Sequence, residues 1–287
     1  MKVLVAGADG MIGSALARHL KKTGKQFVET TRQREKVRSG RIWLDLADSI
    51  SINSLPKVDV CVLCAALTNI EACAENPAYS HQINVEGALA VAQHMTKIGA
   101  HTIFLSTNQI FDGSTVCQKA TDSRSPITEY GRQKAEAEKQ LVAMGHAVSI
   151  LRLSKVLEAE PPLFISWRDD LNLDRIIRPY SNMTLAPIDL EFVVNLIDQL
   201  LHVRAGGIFQ ASGDEDVAYI EAAAYLLKFM TLDANKSCPQ SKPSGIENSA
   251  PPKYTSLDSS RIRKEFGLII PSSRKVLTTI MSNLAVT

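Results

Sequence analysis

The chain has 287 residues, 45% hydrophobic and 22% charged, with 32 Lys+Arg against 30 Asp+Glu and a formal net charge of +2. This ordinary globular composition excludes disordered, collagen-like and coiled-coil chains, and the near-balance of charge gives no footprint for nucleic acid or an anionic membrane. Small-molecule partners are expected instead. No window holds the roughly 18 consecutive apolar residues of a spanning helix, and the apolar start Val3 to Ala6 has the wrong shape for a secretory signal, so a cytoplasmic location is expected. Cys61, Cys64, Cys73, Cys117 and Cys238 are an odd number in a long chain, which argues against a disulfide framework. The pair Cys61 and Cys64 lies in an apolar run without a second pair, and the histidines show no ligand spacing. Buried strand cysteines and no metal site are therefore expected.

Short β-branched runs alternate with helical patterns through the first half, the signature of successive βαβ units. A strand at Lys2 to Ala6 leads into a helix from Ile12 to Lys22, with Ile12, Leu16 and Leu20 on one face. Strands follow at Gln26 to Thr30, Arg41 to Leu44 and Val58 to Ala65, the last a run of the kind buried on both faces. Pro77 opens a long helix to Ile98, then come a strand at Thr102 to Ser106, a helix at Thr128 to Met144 and a strand at Ala147 to Leu153. Beyond it the pattern predicts a helix at Leu163 to Leu171, a short strand at Arg175 to Arg178 and a helix at Asp189 to Val203. A strand at Gly207 to Ala211, a helix at Val217 to Met230 and two final helical segments complete the chain. Asp233 to Lys253, rich in Pro, Ser, Asn and Lys, reads as a long loop, either a lid or a surface excursion. The expected fold is α/β with a doubly wound parallel sheet. Residues 1–153 form the dinucleotide-type domain, with 189–203 returning to it, and 154–287 are mainly a smaller α/β domain that selects the substrate.

Gly7-Ala8-Asp9-Gly10-Met11-Ile12-Gly13 follows a predicted strand and opens a helix, the context that makes a glycine pattern a dinucleotide site. The first glycine permits the turn, the second admits the pyrophosphate and the third allows close packing, while the helix N-terminus favours negative charge. The end of the second strand selects the cofactor. An acidic side chain there would bond a ribose 2′-hydroxyl and repel a 2′-phosphate, whereas this chain has Thr30 and Thr31 followed by Arg32 and Arg34, favouring NADP(H) over NAD(H). Glu29 should point the other way by strand alternation. A solvated basic loop is the alternative for Arg32.

Tyr130-Gly131-Arg132-Gln133-Lys134 puts a phenol and an ammonium on one helical face, after the fifth strand and its Ser106-Thr107 end. Carboxyl ends of parallel strands form the ligand crevice, so Thr107 should reach the same space; a solvent-facing helix is the alternative for the Tyr-Lys pair.

With glycine turn, Ser-Thr and Tyr-x-x-x-Lys in this order, the sequence resembles the extended short-chain dehydrogenase/reductase family. Cys64-Ala65-Ala66-Leu67-Thr68, Asn84-Val85-Glu86-Gly87 and Ser106-Thr107-Asn108-Gln109-Ile110-Phe111-Asp112-Gly113 narrow the likeness to dTDP-4-dehydrorhamnose reductase-like sugar-nucleotide reductases. The resemblance implies Thr107, Tyr130 and Lys134 as the catalytic trio, with Tyr130 protonating a carbonyl while hydride arrives from NADPH, and with Lys134 and the cofactor's nicotinamide ribose lowering the phenol's pKa. It implies Gly7, Gly10, Met11, Ile12, Gly13, Arg32, Asp45, Leu46, Ala65, Ala66, Asn84, Tyr130 and Lys134 along the cofactor. Thr68, Asn108 and Lys155 would face the substrate, a nucleotide sugar, and the helices at 77–98 and 128–144 would pair in a homodimer. Related reductases often read Leu-Arg-Thr-Ser-Trp where this chain has Leu151-Arg152-Leu153-Ser154-Lys155, so a cation replaces an aromatic wall. Phe164, Trp167 and Met183 read as core rather than base-stacking groups. An epimerase that retains its cofactor, or a non-catalytic NADP-binding regulator, would use the same residues.

Overall fold

The computed structural model describes residues 1–241 and 251–286. In β1 (Lys2–Ala6) the four residues after Lys2 are all buried, as a strand covered on both faces requires. A turn leads to α1 (Met11–Lys22), whose buried Leu16 and Leu20 form its inner stripe, and the chain returns through β2 (Gln26–Thr31) and β3 (Arg41–Trp43). After α2 (Ser49–Asn53), β4 (Val60–Leu63) is buried throughout. α3 (Ile70–Glu75) and α4 (Pro77–His81) precede α5 (Ala88–Lys97), β5 (His101–Thr107), α6 (Glu129–Val142) and β6 (Val148–Leu153).

Next come β7 (Val156–Leu157), α7 (Pro162–Asn172), β8 (Thr184–Leu185), β9 (Ile188–Asp189) and α8 (Leu190–Val203). Asp189 caps α8 through Oδ1, which accepts from Phe192 N at 2.7 Å. The chain closes with β10 (Gly207–Ala211), β11 (Val217–Ala218), α9 (Tyr219–Phe229), α10 (Ser260–Phe266) and α11 (Ser273–Val286). Seven strands form one parallel sheet in the order β10-β6-β5-β4-β1-β2-β3. The order reverses direction beside β1, placing the chain's first turn at the switch point where ligands of such sheets bind.

The helix expected over Pro77 to Ile98 is continuous but contains a wide π-turn at Gln82–Gly87, between α4 and α5. The strand expected at Arg175 to Arg178 does not form. Residues 177–181 and 236–240 run side by side with isolated bridges Ile177–Ser237 and Tyr180–Gln240. Ile177 N donates to Lys236 O at 2.9 Å and Gln240 N to Pro179 O at 3.0 Å, but Pro179 has no N–H with which to continue the ladder. The loop expected from Asp233 to Lys253 thus supplies a paired segment at its start; its residues 242–250 lie outside the described residues.

The chain divides into two compact units, Met1–Phe111 with Ser123–Arg152 and Val193–Phe209, and Asp112–Asp122 with Leu153–Phe192 and Gln210–Thr287. The core of the first joins Leu4, Leu63, Val91, Phe104, Leu141 and Ile150. That of the second joins Phe164, Trp167, Leu185, Leu226, Leu277 and Met281. Phe164 and Trp167 lie in this core with ring centroids 5.3 Å apart, and Met183 is half-buried.

Candidate active site

The glycine turn is shaped by its own backbone. Gly7 has φ +93°, and a Cβ there would stand 2.6 Å from Ala65 N, so the turn after β1 presses on the loop after β4. A Cβ at Gly13 would strike the Gly7 carbonyl. Gly10 differs, because a Cβ there would meet only Gly7 O at an ordinary 3.6 Å. The protein's own packing does not demand a glycine at that position, whereas an anion approaching the backbone would. As N-cap of α1, Gly10 makes no side-chain cap bond, and the first turn holds no acidic residue. Its N–H donors and helix dipole fit the pyrophosphate of a dinucleotide.

At β5, Thr107 is 8% exposed, and its Oγ1 accepts from Gln109 N at 3.2 Å, starting a short 3₁₀ turn. Gly131 in α6 lies so close to this turn that a Cβ would collide with the Gln109 carbonyl. The glycine beside Tyr130 therefore locks the first turn of α6 against the segment that follows Thr107. Thr128 caps that helix, with Oγ1 accepting from Gly131 N at 3.0 Å. Tyr130 is buried, and Lys134 is 2% exposed with Nζ donating to Leu105 O at 2.6 Å and lying 3.6 Å from the Phe104 ring centre.

Burial pushes the Lys134 ammonium down to about 7, against the opposing fields of Glu138 and Cys64. Burial also pushes the Tyr130 phenol above its ordinary range. Desolvation thus opposes the expected lowering of Tyr130 and also disfavours the lysine's own charge. The same stripe of α6 continues to Glu138, which sequence reasoning missed. Its carboxylate accepts from Ser106 Oγ at 2.6 Å, Arg124 Nε at 2.8 Å and Arg152 Nη2 at 2.7 Å. Burial raises this carboxyl, but these donors outweigh it and hold it below the usual range. The signal was a charged residue, Arg152, inside the apolar run of β6, and a third ionisable group four residues after Lys134.

Asn84 sits in the π-turn, buried, with its amide engaged by the protein: Oδ1 accepts from Leu67 N at 2.8 Å, and Nδ2 donates to Leu67 O and Gln133 Oε1, both at 2.9 Å. It anchors the loop that carries Ala65, Ala66 and Thr68 to the helix that carries Tyr130. Cys64 N and Ala65 N both donate to Ala6 O at 2.9 Å, joining this loop to β1, and burial pushes the Cys64 thiol up to about 12. Asp45 is half-buried, with Oδ1 accepting from Ala47 N at 3.0 Å, and Leu46 is buried. Met11 and Ile12 are half-buried, as are Ala66 and Asn108, while Thr68 is exposed.

Arg32 is exposed and its carbonyl accepts from Trp43 Nε1 at 3.2 Å; Arg34 lies over the Trp43 ring at 3.6 Å. Behind them Arg41 joins Asp9 of the glycine turn and Glu29 of β2, neither of which the sequence analysis placed in the site. In the second unit, Lys155 is exposed and its carbonyl accepts from Ile188 N at 3.0 Å.

A parallel sheet with a glycine turn at its switch point and a Tyr-x-x-x-Lys helix against β5 defines an NAD(P)-dependent oxidoreductase of the extended short-chain dehydrogenase/reductase type. The chain belongs to the family described as the RmlD substrate binding domain, whose model matches residues 1–286, a sugar-nucleotide reductase-like family. The dTDP-4-dehydrorhamnose reductase of Sinorhizobium fredii is 25% identical over 291 residues, covering 95% of this chain and 94% of that protein. Methionine adenosyltransferase 2 subunit beta of Bos taurus is 24% identical over 277 residues, covering 91% and 81%. The solved dTDP-4-dehydrorhamnose reductase of Bacillus anthracis, in complex with NADP, shares the fold at a TM-score of 0.84 and 20% identity, with 98% of each chain covered. Among the described residues no helix is long and apolar enough to cross a membrane.

Proposed function

We propose that the chain is an NADPH-dependent reductase of a keto sugar nucleotide, with Tyr130 as general acid. The observation that carries this reading is the placement of Tyr130 and Lys134 on the face of α6 that Gly131 holds against the turn after Thr107. Bound reduced nicotinamide supplies the hydride. Tyr130 donates its phenol proton to the carbonyl oxygen as negative charge grows there, and Thr107 donates a hydrogen bond to the same atom. When charged, Lys134 stabilises the phenolate left behind and binds ribose hydroxyls.

The glycine turn, Arg32, Asp45, Leu46, Ala65 and Ala66 line the cofactor in this reading, and Asn84 holds the Ala65–Thr68 loop in place. Arg32 pairs with the 2′-phosphate, the feature that favours NADP(H). Thr68 and Asn108 face the sugar nucleotide, and the free cysteines accord with a cytoplasmic enzyme. A homodimer through the 77–98 and 128–144 helices is checked by light scattering on a sizing column.

The purified protein is expected to consume NADPH stoichiometrically with a 4-keto nucleotide sugar and to lose that activity on Tyr130→Phe. No oxidation with any such sugar would overturn the reading, and turnover without net NADPH consumption would identify an epimerase. A second reading, a non-catalytic NADP-binding subunit, is favoured by the likeness to a methionine adenosyltransferase subunit and by Lys155 in place of an aromatic. Thermal shifts separate the two: stabilisation by NADPH but by no nucleotide sugar supports the subunit.

A further inference from the structure

The corner of the first unit where β2 and β3 meet the glycine turn carries an ionic arrangement that the reductase reading does not use. Asp9 is the third residue of that turn. Its Oδ2 accepts from Thr31 Oγ1 at 2.7 Å, at the end of β2, and its Oδ1 from Arg41 Nη2. The other terminal nitrogen of Arg41, Nη1, donates to Glu29 Oε2 at 2.7 Å. The sheet register puts Arg41 directly opposite Glu29, so β3 delivers one guanidinium to two carboxylates. The arginine side chain is 12% exposed, against 29% for Asp9 and 18% for Glu29.

Glu29 faces Arg38 as well, at 3.7 Å, but Arg38 is 63% exposed and solvent-screened. The Thr31 hydroxyl and the positive charges of Arg41 and Lys36 overcome the effect of burial and hold the Asp9 carboxyl below its ordinary range. The Asp9 carboxylate thus lies, with Glu29 on the same guanidinium, beside the strand end where a dinucleotide's adenosine ribose sits in folds of this kind. An ionised acid at this point ordinarily repels a 2′-phosphate, yet the neighbouring loop presents Arg32, Arg34 and Lys36 to solvent. The two tendencies conflict unless the carboxylates are neutralised locally.

We propose that Arg41 is a specificity-determining residue: by pairing with Asp9 and Glu29 it cancels the acids that would repel a 2′-phosphate, so that the exposed basic loop can accept NADP(H). This rests on the reading of the chain as an NADP(H)-binding protein. Arg41 binds no ligand itself in this account. Its effect is confined to ligands that carry the extra phosphate, and it disappears when Asp9 is made neutral.

The test is equilibrium titration of the full chain with NADPH and NADH, and with 2′,5′-ADP and 5′-AMP, which isolate the adenosine corner. Wild type is expected to bind NADPH and 2′,5′-ADP more tightly than their partners lacking the 2′-phosphate. Arg41→Met should weaken NADPH and 2′,5′-ADP about 10- to 100-fold while changing NADH and 5′-AMP less than about 3-fold. Adding Asp9→Asn to Arg41→Met should restore most of the loss. Asp9→Asn alone, which leaves the arginine in place, should tighten 2′,5′-ADP about 2- to 5-fold. Equal weakening of both ligand classes, or absence of rescue by Asp9→Asn, would overturn the role of Arg41. Should Arg41→Met fail to fold, a weakened affinity for 2′,5′-ADP in Asp9→Asn would overturn it as well. If wild type binds none of the four ligands, the dinucleotide reading itself fails, an outcome distinct from a lost preference.

Discussion

Two groups of positive charge in the first unit stand under opposite solvation. Lys134 is 2% exposed, bonded to a β5 carbonyl, and held near neutrality by its loss of water. Arg32 and Arg34 stand in solvent on the loop after β2, braced by Trp43. At the buried group, desolvation sets proton affinities, so each residue matters through its protonation state. At the exposed group, charge acts through water and salt, so single residues contribute little and binding is shared among several. In the proposed reading, proton transfer falls to the first arrangement and capture of an anionic cofactor to the second.

The largest expected effect lies at the buried group. Tyr130→Phe should lower the chemical rate about 10³-fold in single-turnover reduction while NADPH affinity by fluorescence titration stays unchanged. A proportional loss of affinity would mean that the phenol packs rather than reacts. Arg152→Met strands the Glu138 carboxylate with Ser106 and Arg124 alone, and urea unfolding should show about 3 kcal/mol of lost stability.

Lys134→Met should act in the opposite direction. The unfolded lysine titrates at 10.5 and the folded one at about 7, so between these values the unfolded state binds the extra proton and wild-type stability rises with pH. The variant should be more stable at pH 7, on the order of 2 kcal/mol after the lost bond to Leu105, and this advantage should vanish toward pH 10. The raised phenol of Tyr130 acts only above its ordinary pH range, outside this window. A pH-independent difference in denaturation midpoints would sink the assignment. The smallest effect belongs to the exposed corner: Arg32→Ala should weaken NADPH about tenfold at low salt and far less at about 0.5 M salt. A salt-independent loss would show that Arg32 is buried against its ligand and that the contrast between the two groups is wrong.

The strands of the large sheet were legible because continuous apolar runs and glycine punctuation are local signals. The failure at Arg175 to Arg178 has a local cause too, the missing N–H of Pro179, but its partner segment lies some sixty residues away inside a polar stretch that no periodicity marks. In the candidate site, helical spacing reveals that Tyr130 and Lys134 share a face. It does not reveal that this face is sealed, and sealing pushes the Tyr130 phenol upward. Arg41 was illegible for a different reason: its pairing depends on the cross-strand register of β2 and β3, which sequence alone does not fix. The π-turn likewise leaves no compositional trace.

That wide turn determines how the helix could be edited. Deleting one residue from Gln82–Gly87 would restore the regular period and rotate everything before it by about 100°. Ser80, whose hydroxyl accepts from Gln133 Nε2 at 2.8 Å, would swing off α6, and Pro77 O with it. The extra residue therefore works as a phase adjuster, and in any engineered or ancestral version of this chain the segment's length should change only together with its partner at Gln133.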